Sequence, residues 1–378
     1  MPQLIFFLFL VFSVIYLFSI VMYWAGLFYS RKKSFFTQPY VSIVIAIKNE
    51  ISRLPALLKY LQEQDYPDDL LEIIIVDNES KDGSYEWLID KADQIPQLQV
   101  LSTAKVATDY KFKKAALSLG IEYACGDVIL TTDADCTIKQ SWVSSMTSCF
   151  NENIDVVTGY SAIQYDHKLF DRIQALDFLM LMAAGKSTIN LGLVWACSGQ
   201  NWAFRKRLFE KVGGYKRIRE RVGGDDSLFL QVLRKEARAA VVFNDSPDSY
   251  VATQPVHGIS EFLRQRIRWA SEANYMHRLN LTFFTIVIAT FLANLFALLL
   301  PLWFMVDKRL FLASIIFLLL KCLVEGLLVF KSTKDFNRRD LRKTFFPWFV
   351  FQIPYVILMG ILSFWGNRLK WKPAVETT

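Results

Sequence analysis

Val128-Ile-Leu-Thr-Thr-Asp-Ala-Asp135 runs from a β-branched apolar stretch directly into two carboxylates one residue apart. The first five residues read as a buried strand, and the acidic pair falls at its carboxyl end. Two earlier runs have the same form: Val41-Ser-Ile-Val-Ile-Ala46, and Leu71-Glu-Ile-Ile-Ile-Val76, which is followed by Asp77. Helical patterns at residues 51–64 and 111–124 lie between and after them. Near-continuous apolar strands separated by helices predict an α/β domain with a parallel sheet covered on both faces. In such sheets ligands sit beyond the carboxyl ends of the strands, and that is where these acidic residues fall.

Beyond this domain the chain is more apolar than a soluble protein. Of its 378 residues, 53% are hydrophobic, against about 45–50% in ordinary globular domains. Residues 4–29 carry no charge, a longer run than the roughly 20 residues that span a bilayer. They predict a membrane anchor over residues 1–30 rather than a cleaved signal, because the basic cluster Arg31, Lys32, Lys33 follows the apolar run instead of preceding it. The positive-inside rule then puts the domain at residues 31–280 in the cytosol. A C-terminal membrane region, residues 281–378, holds candidate spans at 281–306, 310–330 and 344–365. The basic loop 331–343 and the tail residues Arg368, Lys370 and Lys372 both ask for the cytosol. A single crossing by the last segment cannot satisfy both, and Pro347 and Pro354 leave a re-entrant or interfacial hairpin open.

The net charge of +7 fits an anionic bilayer better than nucleic acid, because the basic residues flank apolar segments. Five cysteines without a CxxC pair argue against a disulfide framework and predict buried free thiols in a reducing compartment.

Four polar clusters carry candidate chemistry. Asp133 and Asp135 offer hard oxygen ligands of the kind that hold Mg²⁺ or Mn²⁺ against two phosphates, although an acidic turn alone is commonplace. Asp77-Asn-Glu-Ser-Lys-Asp-Gly83 closes the second strand where a nucleotide could be read. Asp225-Asp226 follows two glycines and precedes an apolar helical run. One Asp suffices to cap that helix, which leaves the other for general-base work. Gln265-Arg-Ile-Arg-Trp269 suits an amphipathic interfacial helix, a site motif, or both.

In this order the clusters resemble the membrane-bound family 2 glycosyltransferases, which include hyaluronan, chitin and cellulose synthases and ceramide glucosyltransferase. The shared pattern is an Asp after the second strand, a DxD, an acidic-Asp pair and QxxRW. Ile47-Lys-Asn-Glu50, Lys113-Lys-Ala-Ala-Leu117 and Gly199-Gln-Asn-Trp-Ala203 extend it, so the resemblance covers about residues 38–280. It implies a Rossmann-like nucleotide-diphosphosugar transferase (GT-A) domain joined to transmembrane helices. It also implies donor contacts from Ile47, Glu50, Asp77, Lys113, Asp133 and Asp135, with Mg²⁺ or Mn²⁺ on the last two. Asp226 would be the catalytic base beside Asp225, where the family usually has Glu. Gly199, Gln200, Asn201, Gln265, Arg268 and Trp269 would face the acceptor and the diphosphate.

The expected activity is inverting transfer of a hexosyl or N-acetylhexosaminyl group from a nucleoside-diphosphate sugar, a UDP-sugar first, at an inner or plasma membrane. Four apolar segments are few for a polysaccharide channel, which favours a lipid or lipid-linked acceptor over processive synthesis. A transporter or flippase would carry ionisable residues within its spans, where the only acidic residue is Glu325. A nucleotide-sugar sensor would have no use for the full acidic set.

Overall fold

The computed structural model describes residues 2–29, 38–106, 109–166 and 168–369. Arg31, Lys32 and Lys33, and Lys370 and Lys372 in the tail, lie outside the described residues. The chain divides into two compact units. One is built from the described residues of Arg31–Gln164, Val194–Gln254 and Arg368–Thr378, the other from those of Met1–Ser30, Tyr165–Leu193 and Pro255–Asn367.

The first unit contains the strands β1 (Val41–Ile47), β2 (Leu71–Asp77), β3 (Leu98–Ser102), β4 (Val128–Thr131), β5 (Cys136–Thr137), β6 (Val156–Gly159), β7 (Ser161–Ile163), β8 (Trp202–Arg205), β9 (Val241–Asn244) and β10 (Val251–Thr253). Seven of them form a sheet in the order β3-β2-β1-β4-β8-β6-β9. β1 to β4 run parallel, as do β6 and β9, but β8 lies antiparallel between β4 and β6. The expected all-parallel sheet is therefore a mixed one. The reversal bears on the site, because Trp202 at the start of β8 pairs with Thr131 at the end of β4. Residues 199–201, just before β8, are thereby delivered to the edge where Asp133 and Asp135 leave β4.

The sheet is held by apolar packing. Every residue of β1 is buried, and the helix Leu54–Gln62 sets Leu54, Leu57, Leu58 and Leu61 against it, the stripe expected of a half-buried helix. The helix Lys113–Tyr123 buries each residue from Lys113 to Ile121. A small second sheet, β5-β10-β7, completes the unit.

The second unit is helical: Pro2–Gly26, Leu169–Asn190, Ile259–Leu279, Leu281–Leu298, Leu300–Val306, Lys308–Asp335 and Phe345–Leu362 are its α-helices. Gln3–Gly26, Leu281–Leu298, Lys308–Asp335 and Arg339–Arg368 are long and apolar enough to cross a membrane. The segment at 281–306 is two helices, with Pro301 opening the second, a position where its missing N–H costs nothing. Pro354 lies inside the single helix Phe345–Leu362, so the hairpin alternative is not what this segment adopts.

The expected soluble block 31–280 differs from this division, since 165–193 and 255–280 belong to the helical unit. The helix Leu169–Asn190 packs on Pro2–Gly26 through hydrogen bonds from Ser187 Oγ to the Met22 carbonyl at 3.3 Å and from Asn190 to that of Gly26 at 3.1 Å. Its Asp171, Asp177 and Lys186 break up the hydropathy signal that would otherwise have revealed it. Glu325, the acidic residue within 310–330, is buried against Lys321 at 2.8 Å and accepts from Tyr16.

Candidate active site

The site in the first unit starts where β4 ends. Cys136 N donates to the Asp133 carbonyl at 3.1 Å, closing the turn that presents Asp133 and Asp135, both partly exposed. Lys113, the first residue of its helix, stands between two acids, with Nζ 2.7 Å from Asp133 Oδ1 and 3.1 Å from Asp225 Oδ2. Burial works against its charge, but Asp133 and Asp225 outweigh burial and raise its pKa well above the ordinary lysine value. Burial and then the Asp133 charge push the Asp135 carboxyl up. A carboxyl whose ionisation is disfavoured beside a second carboxylate belongs to a donor set that a divalent cation would relieve. No group of three His, Cys, Asp or Glu side chains suited to a metal occurs among the described residues. Phosphate oxygens and water would supply the remaining ligands, an arrangement Mg²⁺ commonly adopts.

Asp226 is the N-cap of the helix Ser227–Ala237. Its carboxylate accepts from Ser227 N and, through Oδ2, from Gly199 N at 3.0 Å. The expectation that the residue read as the base would be free of capping is thus corrected: Asp226 is the one that caps the helix, while Asp225 pairs with Lys113. Burial first, and Asp225 second, push Asp226 up to about 6. Burial acts on Asp225 in the same sense, but Lys113 overcomes it and holds that carboxyl below its ordinary range. The neighbours are therefore unequal, with Lys113 favouring the ionised form of Asp225 while burial and the Asp225 charge disfavour that of Asp226.

Gly199 sits against this pair. A Cβ there would lie 3.2 Å from the Asp226 side chain, so a larger residue would crowd the carboxylate. The Gly199 carbonyl accepts from Thr131 Oγ1 at 3.0 Å, tying the Asp226 partner to the end of β4. Gln200 is partly exposed, and its buried Oε1 has no hydrogen-bond partner among the described residues.

Asn201 departs from its expected place facing the acceptor. It is fully buried, donates to the carbonyls of Tyr160 and Ser249 at 2.9 and 2.7 Å, and accepts from Trp142 Nε1 at 3.0 Å. Its amide fastens the framework. Ile47 also departs from expectation, because its side chain is wholly in the core; only its backbone, which accepts from Asn78 N at 2.9 Å, faces the turn. Glu50 is buried and bound to Arg53 at 2.8 Å. Asp77, at the end of β2, accepts from Ser80 N at 3.2 Å through Oδ2, while its buried Oδ1 has no hydrogen-bond partner among the described residues. Burial, more than any neighbour, raises its pKa.

Two basic residues at the site escaped sequence reasoning. Arg53 lowers the pKa of Asp135 against the larger effects of burial and Asp133. Lys114 is completely buried and hydrogen-bonded to backbone carbonyls just ahead of Asp225. The available signal was a Lys-Lys pair opening an otherwise apolar helix.

Gln265, Arg268 and Trp269 lie on Ile259–Leu279 in the helical unit. There the buried cation is Arg266, 3.0 Å from Asp177, with its guanidinium 4.5 Å from the Trp269 ring centroid and 5.2 Å from that of Phe262. Arg268 is only half-buried, and Gln265 Oε1 is buried with no hydrogen-bond partner among the described residues.

The sequence matches the family described as "Glycosyl transferase family 2" over residues 42–213, and "Glycosyl transferase family group 2" over residues 128–365. It is 24% identical over 284 residues, 70% of the chain, to a probable glycosyltransferase of Sulfolobus acidocaldarius. It is 26% identical over 179 residues, 47% of the chain, to a beta-monoglucosyldiacylglycerol synthase of Nostoc sp.. The alignments cover 60% and 38% of those two proteins. A mannosyltransferase from Pyrobaculum calidifontis, solved with GDP-Man and Mn²⁺, superimposes with a TM-score of 0.62 at 18% identity, over 94% of this chain and 98% of that one.

Proposed function

This chain belongs to the family 2 glycosyltransferases, and on that premise we propose that it transfers a sugar, with inversion, from a nucleoside-diphosphate sugar to a lipid or lipid-linked acceptor. UDP-sugars are the first donors to test. The observation that carries the reading is the line of acids Asp133, Asp225 and Asp226 around Lys113, in which one carboxyl is held ionised and its neighbour is raised to about 6.

Asp226 takes the proton of the acceptor hydroxyl as that oxygen attacks the anomeric carbon, and the bond to the diphosphate oxygen breaks on the opposite face. One displacement inverts the configuration. A base with a pKa near 6 is ionised at neutral pH yet close enough to that pH to accept a proton during reaction. Asp225 fixes the Lys113 ammonium beside Asp133, so that positive charge is preorganised where the diphosphate would lie. Asp133 and Asp135 would hold Mg²⁺ or Mn²⁺, which would neutralise charge on the departing diphosphate. The Oδ1 of Asp77, without a hydrogen-bond partner among the described residues, suits an N–H on the nucleobase, since a buried acceptor without a donor carries a desolvation cost.

The lipid acceptor is supported by the four helices apolar enough to cross a membrane and by the likeness to a diacylglycerol glycosylating enzyme. The catalytic unit would face the cytosol, where nucleotide sugars are made. The test is purified protein in nanodiscs, offered UDP- and GDP-sugars with diacylglycerol or polyprenyl phosphate and read by mass spectrometry. Formation of a lipid carrying one sugar supports the reading. Long glycan chains would point to processive synthesis, and an absence of both transfer and donor hydrolysis would refute the enzyme reading.

A further inference from the structure

Lys114 is completely buried at the opening of the helix Lys113–Tyr123. A buried ammonium is costly unless its N–H donors are met. Its Nζ donates to the carbonyls of Ile218 at 2.9 Å and Gly223 at 3.1 Å, and to that of Arg221. All three carbonyls belong to the single segment that runs directly into Gly224, Asp225 and Asp226. Gly224 itself has φ +86°, and a Cβ there would strike the Leu228 side chain. Gly224 thus supplies a backbone conformation that L-residues rarely adopt, and the three carbonyls held by Lys114 precede it directly.

We propose that Lys114 is a positioning residue for sugar transfer, pinning residues 218–223 from within so that Asp225 meets Lys113 and Asp226 meets the acceptor hydroxyl. The inference rests on the reading of Asp226 as the base. Successive residues of a helix point about 100° apart, so one helix start serves the turn twice. Lys113 engages the Asp225 side chain, and Lys114 engages the backbone just ahead of it. The Lys114 charge also contributes to holding Asp225 ionised.

The experiment uses the full chain in nanodiscs, comparing Lys114→Met, which keeps an unbranched apolar stem without the ammonium, and Lys114→Arg, which keeps charge and donors. Turnover should fall about 10- to 100-fold in Lys114→Met, the scale of an ångström of misplacement in a reacting geometry. Binding of UDP with Mn²⁺ should fall by less than turnover does, because Asp77, Asp133 and Asp135 lie outside the pinned segment and Lys113 keeps its contact with Asp133. Lys114→Arg should recover about tenfold of the lost rate by restoring charged donors.

An independent readout is tryptic cleavage at the exposed Lys216, Arg217 and Arg219, which should speed up in Lys114→Met as the segment opens locally. Unchanged turnover with unchanged cleavage would overturn the proposal. So would equal loss of nucleotide binding and turnover, or a Lys114→Met protein that does not fold, because the residue would then support the whole unit rather than the acidic turn. Absence of transfer by the wild type is a different result, since it removes the function reading itself. Faster cleavage in the variant would then leave Lys114 as a structural pin and withdraw its role in transfer.

Discussion

Replacing Asp225 by Asn should move the acidic limb of the turnover–pH profile downward. Asp226 is pushed up to about 6 from an ordinary value of 3.8, with burial the larger cause and the Asp225 charge the next. Neutralising Asp225 removes only the second cause, so the limb should shift by up to about one pH unit. The sign follows from the role proposed for Asp226, since a carboxyl accepts a proton only when ionised. Wild-type turnover should fall as pH drops through about 6, whereas the variant should keep working to lower pH. Releasing Lys113 from Asp225 acts in the same direction, because an uncompensated cation nearby favours the Asp226 anion. The assay is turnover at saturating donor and acceptor from about pH 4.5 to about pH 8, with nucleotide binding measured alongside. Asp226→Asn should lower turnover by about two to four orders of magnitude at every pH, with nucleotide binding little changed. A limb that stays fixed or rises in Asp225→Asn would refute the electrostatic coupling. Near wild-type turnover in Asp226→Asn would remove that residue as the base.

Two further outcomes follow from the geometry. Asp133→Asn and Asp135→Asn should each reduce transfer by at least about two orders of magnitude while the protein still folds; chelation of the wild type should do the same, and full activity in chelator with no retained metal would contradict the assignment. Asn201→Ala strands the Trp142 N–H and two carbonyls, which should destabilise the fold by about 3 kcal/mol. Thermal unfolding measures this, and an unchanged melting temperature with a raised acceptor KM would return Asn201 to the acceptor side.

Strand identity was legible because apolar β-branched runs end in polar residues, and β1, β2 and β4 fall within a residue of their expected limits. Direction was not, since Trp202–Arg205 is buried like its neighbours and nothing in its composition marks an antiparallel strand. The acidic residues of the site were legible from their place at strand ends and helix starts. Side-chain orientation was harder to read. Ile47 and Asn201 lie in motif-like stretches, yet both are in the core, Ile47 because β1 is covered on both faces and Asn201 because Trp142, Tyr160 and Ser249 take up its amide. The cap and the proposed base could not be separated from sequence because one residue, Asp226, has both parts. Leu169–Asn190 hid from a hydropathy reading because its charged residues find partners, Asp177 with Arg266 and Lys186 with Asp335.

The anomeric configuration of the product tests the central claim most directly. Nanodisc-embedded wild-type protein is given an α-linked UDP-sugar, Mn²⁺ and a lipid acceptor, and the product linkage is read by proton NMR. A β-linked glycolipid that forms with the wild type and is lost in Asp226→Asn is the expected result. An α-linked product, or a β-linked product made equally well by Asp226→Asn, would contradict the single displacement assisted by Asp226.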